Sequence, residues 1–347
     1  MRFYTETHKH YCGIDLHTKN LYVCLIEHDG EIVAHKNIKA RPEALMKLIK
    51  PYLDNLVIGV ECMFSWYWIA DFCEDNGIDF VLGHALYMKA IHGGKAKNDR
   101  IDSLKIATLL RGGMFPMAYV YPRAMRPTRD LMRRRMHMMR KRAELLAHIQ
   151  NTNSQYNLPE IGKNLRYGFN REGLAERFEH PSTQKCIQLD LNLIGFYDEQ
   201  LSKVEWHINK SAKEADYQSL MILKSVPGIG HILSLVILYE IHDIDRFPRV
   251  QEFLSYCRLV KCKKESAGKS YGTSGAKIGN AYLKWAFSEA AVLFLRKNPP
   301  AQAWLEKVAN RHNKAKALSI LAQKLARAIY FMLKRHTVFN QKQFLNA

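Results

Sequence analysis

The spacing of apolar positions changes character along the chain. Between Tyr11 and Asp29 (YCGIDLHTKNLYVCLIEHD) the pattern predicts two β-rich runs joined by a polar turn at His17-Thr18-Lys19-Asn20. A third strand follows from Glu31 to Ile38, after Asp29-Gly30. The spacing then predicts a helix over Pro42–Lys50, a short buried strand over Leu56–Glu61, an aromatic-rich helix from Phe64 to Asn76 ended by Gly77, and a strand over Ile78–Gly83. Residues 84–97 (HALYMKAIHGGKAK) form a basic, glycine-containing approach to the next element. That element is a helix: Ile101, Leu104, Ile106, Ala107, Leu109 and Leu110 make a near-3.6 stripe, with Asn98 as N-cap and Gly112-Gly113 as stop.

From Arg126 to Ile149 the pattern becomes a long basic helix with Pro127 in its first turn, a protruding arm. Asn151 to His180 is polar and loop-rich, and residues 184–216 return to helical spacing, fit to run back antiparallel along the arm. Leu223-Lys224-Ser225-Val226-Pro227-Gly228-Ile229-Gly230 followed by a helix over His231–Ile241 is a helix-hairpin-helix pattern. After a further helix over Phe247–Leu259, residues 261–280 are a loop dense in small residues and lysines, and the remainder is helical: Ala281–Arg296, Pro300–Ala309 and Ala315–Lys334. Three meander strands followed by helical crossovers to further strands is the order of a ribonuclease H-like (RuvC-like) fold, a mixed sheet with helices on both faces. The expected class is therefore α/β plus all-α. Residues 1–122 form the sheet domain, 123–218 a helical coiled-coil arm, and 219–347 a helical domain carrying the serine loop.

Charge narrows the partners. With 52 Lys+Arg against 33 Asp+Glu the formal charge is +19, which suits a polyanion: nucleic acid first, an anionic membrane surface second. No apolar run approaches the ~20 residues of a spanning helix, and Met1 to His10 is polar, so the expectation is a soluble, unexported protein. Seven scattered cysteines without a C-x-x-C pair indicate neither a disulfide framework nor a zinc site; they are expected reduced and mainly in the core.

Candidate chemistry begins with Asp99 and Asp102. Three residues apart at a helix start, they share one face and can address one hard cation. First-turn acids that merely complement the helix dipole are the plainer reading. Asp15 and Glu61 add weight, because each sits within an otherwise apolar strand (Gly13-Ile14-Asp15-Leu16 and Val57-Ile58-Gly59-Val60-Glu61), where an unpartnered charge is costly. In the usual strand order the four carboxylates converge and can bind two divalent ions, one activating the attacking oxygen and one stabilising the leaving oxygen of a phosphodiester. Four unrelated surface acids are the alternative.

Cationic positions carry paired readings too. Lys95 and Lys97 either meet phosphates or decorate a solvated loop. On the arm, Arg129, Arg133, Arg134, Arg135, Arg140, Lys141 and Arg142 stand against only Asp130 and Glu144, so they either grip a nucleic-acid backbone or form a solvated basic face. Leu131, Met132, Met138, Met139, Leu145 and Leu146 offer a seam for a partner helix. Gly228 and Gly230 would let backbone N–H groups approach a phosphate, or simply make a turn. In the loop after Lys261, serine next to Lys263, Lys264 and Lys269 is either ordinary turn chemistry, which spacing alone favours, or a nucleophile whose phosphate target the lysines stabilise.

Together these residues resemble the DEDD transposases of bacterial insertion sequences, the one-ten family, over nearly the whole chain. The N-terminal signature is Gly13-Ile14-Asp15-Leu16-His17, the strand-end Glu61, and Lys97-Asn98-Asp99-Arg100-Ile101-Asp102. The C-terminal signature is Pro227-Gly228-Ile229-Gly230, the D-I-x-R-F element at Asp243–Phe247, a serine-glycine loop, and the G-N-x-x-L start at Gly279–Leu283. The resemblance implies that Asp15, Glu61, Asp99 and Asp102 are a metal-binding tetrad for Mg2+ or Mn2+. It implies that Ser266 is a nucleophile, in a site composed of tetrad and serine.

The implied reaction is strand exchange by transesterification through a phosphoserine, on donor and target DNA, guided by a structured non-coding RNA. A homo-oligomer, dimer or tetramer, assembled through the arms in the bacterial cytoplasm is implied as well. Two departures stand out. Ser266-Ala267-Gly268 replaces serine followed directly by glycine, with Ser270 and Ser274 nearby, and Ser103 replaces the alanine common after the second aspartate.

Other classes make different demands. A RuvC-like metal-dependent, structure-selective DNA endonuclease would need the tetrad alone. A sugar-kinase-like ATPase would need a second phosphate-binding hairpin and an adenosine motif, neither of which is found. A non-catalytic binding protein would tolerate loss of the acids.

Overall fold

The computed structural model describes residues 2–91, 98–212, 216–260, 263–273 and 278–346. It divides into two compact units, 1–124 and 125–347. The first opens with β1 (Phe3–Tyr4), β2 (His10–Leu16), β3 (Asn20–Glu27), β4 (Ile32–Lys39) and α1 (Pro42–Ile49). Then come β5 (Leu56–Glu61), α2 (Tyr67–Asp75), β6 (Asp79–Gly83), α3 (Ala85–Ile91), α4 (Asp99–Arg111) and β7 (Phe115–Pro116). Five strands form one sheet in the order β4-β3-β2-β5-β6. The β2–β3 and β3–β4 pairs are antiparallel; β2–β5 and β5–β6 are parallel. This is the mixed, ribonuclease H-like sheet expected.

Two-residue alternation gives the sheet its faces. Cys12, Ile14 and Leu16 of β2 and Ile58 and Val60 of β5 pack with Leu45 and Ile49 of α1 and Ile69, Phe72 and Cys73 of α2. Tyr11 of β2, Cys24 of β3 and Val57 of β5 face the other way, onto Ile106, Ala107, Leu109 and Leu110 of α4. Strands covered on both faces read as near-continuous apolar runs. Edge strand β4, with Lys36, Asn37 and Lys39, is polar instead.

Two expectations shift here. The 84–97 approach contains a helix, α3, because Ala85, Leu86, Met88 and Lys89 are strong helix formers. The aromatic helix begins at Tyr67, leaving Phe64 80% exposed before it.

The second unit starts with α5 (Arg126–Gln155), which runs past its expected end, and α6 (Pro181–Ala212). They lie antiparallel, as the pairs Arg135–Glu205 (2.6 Å), Arg142–Asp198 (2.5 Å) and His148–Asp190 (2.5 Å) record. Their far ends enclose a small core of Ile149, Leu165, Leu174, Phe178, Ile187 and Ile194. The rest comprises α7 (Tyr217–Lys224), α8 (His231–Ile241), α9 (Val250–Tyr256), β8 (Lys263–Ser266), β9 (Lys269–Thr273), α10 (Ala281–Phe294), α11 (Pro299–Arg311), α12 (Lys314–Arg335) and α13 (Gln341–Asn346). Helix α8 is buried from Leu233 through Ile241 and forms the centre of this core, as its all-round apolar sequence requires. Met132 of α5 and Ile208 of α6 belong to the same core. The expected serine loop is a two-stranded hairpin, β8–β9, so this region is not purely helical. Of the described cysteines, Cys12, Cys24, Cys73 and Cys257 are buried and all six are free thiols.

Candidate active site

Gly13 and Gly59 decide where the acids go. A Cβ at Gly13 would overlap the Ser103 carbonyl and the Ala107 amide of α4, and one at Gly59 would come within 2.5 Å of Leu110 Cδ1. Both glycines therefore lie on the α4 face, and the two-residue period puts Asp15 and Glu61 on that same face. Ile14 pairs with Val60 in the parallel β2–β5 ladder, so Asp15 and Glu61 end neighbouring strands. Helix α4 reaches the same end with its first turn, where Asn98 accepts from the Ile101 N–H at 2.8 Å. The buried Ser103 accounts for the small residue at that position: it lies under Gly13 and donates to Arg100 O (3.0 Å). His35 of β4 fastens this turn to the sheet, with Nε2 3.0 Å from Arg100 O and 3.1 Å from Ser103 Oγ.

At the centre, His17 Nε2 lies 3.3 Å from Asp15 Oδ2 and 3.4 Å from Asp99 Oδ1. Ligand atoms of Asp15, His17 and Asp99 all fall within 4.8 Å of one another, the group of this kind among the described residues. Burial pushes the Asp15 carboxyl up, the charges of Asp99 and Asp102 add to this, and His17 opposes it. Asp102 stands one turn along α4 and accepts from Lys105 Nζ at 3.4 Å. Glu61 is half-buried at its strand end and lies outside the 4.8 Å group. A divalent cation fits this donor set, since the carboxylates of Asp15 and Asp99 lie close enough to repel one another and a hard cation held between such oxygens would offset that repulsion. His17 stood in the sequence motif without a role; its position two residues after Asp15 was the available signal.

Ser266 lies at the tip of the β8–β9 hairpin, paired with Lys269 across a two-residue turn, while Glu265 pairs with Ser270. Ala267 (φ +50°) and Gly268 (φ +73°) are both left-handed, the requirement of a type I′ turn. Ala267 thus adopts a conformation that glycine takes without cost, which relates its sequence to the family's serine-glycine pattern. Alternation puts Ser266 and Lys269 on one face and Glu265 and Ser270 on the other. The side chains of Lys263 and Lys264 lie outside the described residues, as do Lys95, Lys97 and Ser274.

Arg129, Arg133 and Arg135 of the arm have acidic partners within the second unit. Arg133 donates to Glu240 (Nε to Oε1, 2.7 Å), Arg129 joins it there, and Arg135 pairs with Glu205. Sequence neighbours gave no sign of these acids, which come from α8 and α6. Arg134 and Arg140 are exposed and without ion pairs among the described residues. Gly228 (φ +82°) has a packing reason: a Cβ would meet the Phe294 amide at 2.5 Å. Gly230 precedes α8 as its N-cap with nothing near its Cβ position.

An acidic centre at the strand ends of a ribonuclease H-like sheet defines a DEDD-type enzyme acting on nucleic acid. Comparison with known proteins makes the class specific. A transposase family model of the DEDD type matches residues 12–157, and that of the "Transposase IS116/IS110/IS902 family" matches residues 220–306. The chain belongs to the IS110/IS1111 family of transposases. It is similar to the transposase for insertion sequence element IS1111A of Coxiella burnetii, with 22% identity over 343 residues, covering 94% of this chain and 90% of that protein. It is also similar to the transposase for IS1328 of Yersinia enterocolitica, 23% over 151 residues, 42% of this chain and 45% of that protein. A 43.6 kDa protein of insertion element IS110 from Streptomyces coelicolor is 25% identical over 144 residues, 39% and 36% of the two chains. No helix of the described residues is long and apolar enough to cross a membrane.

Proposed function

We propose that this transposase exchanges DNA strands by transesterification through a serine–DNA intermediate, guided by a structured non-coding RNA, with Asp15, Glu61, Asp99 and Asp102 holding Mg2+ or Mn2+. The observation that carries the reading is the convergence of Asp15 and Asp99 on His17 at the strand ends, with Asp102 and Glu61 on the same face. When bound, the cation supplies positive charge to the oxygens of a phosphodiester.

Ser266 Oγ attacks phosphorus, its proton passes to a base, one P–O ester bond forms and one breaks, and a DNA hydroxyl leaves. A second DNA hydroxyl then attacks the phosphoserine and releases the serine. No bond energy is lost to water, so rejoining needs no external energy source. Lys269 on the face of Ser266 supports this assignment, since a cation stabilises the charge gathered on the phosphate, whereas Ser270 shares its face with Glu265. Residues 1–122 serve as the metal domain, 123–218 as the arm and 219–347 as the serine domain. The arms join copies into a dimer or tetramer: Leu189 (52%), Leu193 (48%) and Phe196 (55%) stand exposed on α6 with heptad-like spacing.

Sequencing the RNA that copurifies, then assaying strand exchange with and without it, tests the reading. Exchange that needs the RNA, a divalent metal and Ser266 supports it. A structure-selective endonuclease is the second reading, favoured by an acidic centre that is assembled within the first unit. Cleavage by Ser266→Ala at the wild-type rate would establish that reading instead.

A further inference from the structure

Glu240 is 3% exposed in the last turn of α8 and holds three elements together. From α5, Arg129 donates to its Oε2 through Nε (3.2 Å) and Nη2 (2.9 Å), and Arg133 donates to Oε1 (2.7 Å) and Oε2 (2.9 Å). From the start of α10, Asn280 Nδ2 donates to Oε2 at 2.7 Å. The Arg133 guanidinium also lies 4.4 Å over the Tyr282 ring.

Asn280 is more than a cap. Its Oδ1 accepts from the N–H groups of Tyr282 and Leu283, while its own N–H donates to Tyr256 O at 2.6 Å. Arg258 Nε donates to Gly279 O at 2.9 Å. Gly279 (φ +96°) leaves no room for a Cβ, which would come within 2.6 Å of Tyr256 O. Residues 256–258 and 279–280 thus clasp the two ends of the segment that carries the Ser266 hairpin. Arg246 completes the clasp, stacked 4.5 Å and 4.7 Å over the rings of Phe247 and Tyr256. The D-I-x-R-F and G-N-x-x-L motifs are accordingly the materials of this stem.

A buried ion cluster is a weak stabiliser, because desolvation offsets its attraction; apolar groups of similar size often do better. Its particular property is directional, fixing one register among its partners. We propose that Glu240 is a positioning residue for the serine step, tying the stem of the Ser266 hairpin to the arm helix. The proposal rests on Ser266 being the nucleophile.

The test compares the full-length RNA-bound protein with Glu240→Gln and with the apolar triple variant Glu240→Leu, Arg129→Met, Arg133→Leu. Three quantities are read: thermal stability, single-turnover serine–DNA adduct formation at saturating DNA, and amide exchange at residues 279–283. The triple variant should keep wild-type stability and half-saturating DNA concentration, yet form adduct about 10- to 100-fold more slowly and lose protection at 279–283. A stable triple variant with wild-type adduct rate, or with unchanged protection, overturns the proposal and makes the cluster a folding device only. Ser266→Ala run alongside separates the two readings: an adduct surviving it removes the serine assignment, while exchange at 279–283 still decides whether Glu240 holds the stem. If the triple variant does not fold, Glu240→Gln gives the same three readings.

Discussion

Gly13 and Ala107 are in backbone-to-backbone contact: no Cβ fits at Gly13 without overlapping the Ala107 amide and the Ser103 carbonyl. The contact holds α4 close to β2, and closeness is what brings Asp99 to Asp15. Gly13→Ala should therefore destabilise the first unit by at least about 1–3 kcal/mol and weaken metal binding together. Urea unfolding with Mn2+ titration checks this; an unchanged midpoint would show that the sheet and α4 tolerate separation.

Like charges around a half-buried Asp15 predict opposite effects with and without metal. Asp15→Asn should raise thermal stability in chelator, because it removes a carboxylate that burial and the Asp99 and Asp102 charges already disfavour. In Mg2+ or Mn2+ the wild type should gain stability by mass action and the variant should not. Strand exchange should fall below detection in Asp15→Asn, Glu61→Gln, Asp99→Asn and Asp102→Asn alike. A variant that keeps the metal-induced rise in Tm would remove Asp15 from the ligand set.

Much of this centre was legible in the chain because it is local or strand-periodic. Asp15 and Glu61 announce themselves as charges in apolar runs, and Asp99 and Asp102 share a face by helical arithmetic. His17 was hidden because it follows the strand end, where alternation no longer says which way a side chain points. Long-range pairing was illegible for a different reason. Nothing near Arg133 or Arg135 in sequence indicates that Glu240 and Glu205 come from helices packed alongside. The hairpin escaped because its strands are short and polar, and its turn uses alanine where glycine or asparagine is the usual signal.

The arm can now be divided by residue. Arg133→Gln and Arg135→Gln should lower thermal stability, by about 1–3 kcal/mol for removing a partner from a charged hydrogen bond, with little effect on the salt dependence of DNA or RNA binding. Arg134→Gln with Arg140→Gln should leave stability alone and reduce the salt slope by roughly one unit per lost phosphate contact. A slope unchanged in the second pair returns these residues to a solvated face.

Acid should act through Glu240. Burial pushes this carboxyl up, but hydrogen bonds and charge from Arg133 and Arg129, with Asn280, outweigh it and hold the group below its ordinary value of 4.5. A lowered folded value means that its contribution is complete above that ordinary value and is lost as pH falls through the folded one. Glu240→Gln should therefore be less stable than wild type at pH 7, with the gap narrowing once pH drops below 4.5. Unfolding curves across that range that stay parallel would show that the charge on Glu240 contributes nothing.

The covalent step makes the sharpest demand, since Ser266, Ser270 and Ser274 all follow the same lysine run. A serine hydroxyl is a weak nucleophile at neutral pH and needs nearby positive charge or a base. Cross-strand pairing gives Ser266 the Lys269 side and Ser270 the Glu265 side, where a carboxylate would repel an incoming phosphate. Reaction on a nicked or mismatched substrate, followed by protease digestion and mass spectrometry, should find the nucleotide on the peptide containing Ser266. Ser266→Ala should abolish that adduct and Ser270→Ala should not. Ala267→Gly should keep it, and should relieve up to about 1–2 kcal/mol of left-handed backbone strain at the turn. An adduct mapped to Ser270 or Ser274 would overturn the assignment of Ser266, and active protein that never forms one would leave metal-dependent hydrolysis as the chemistry.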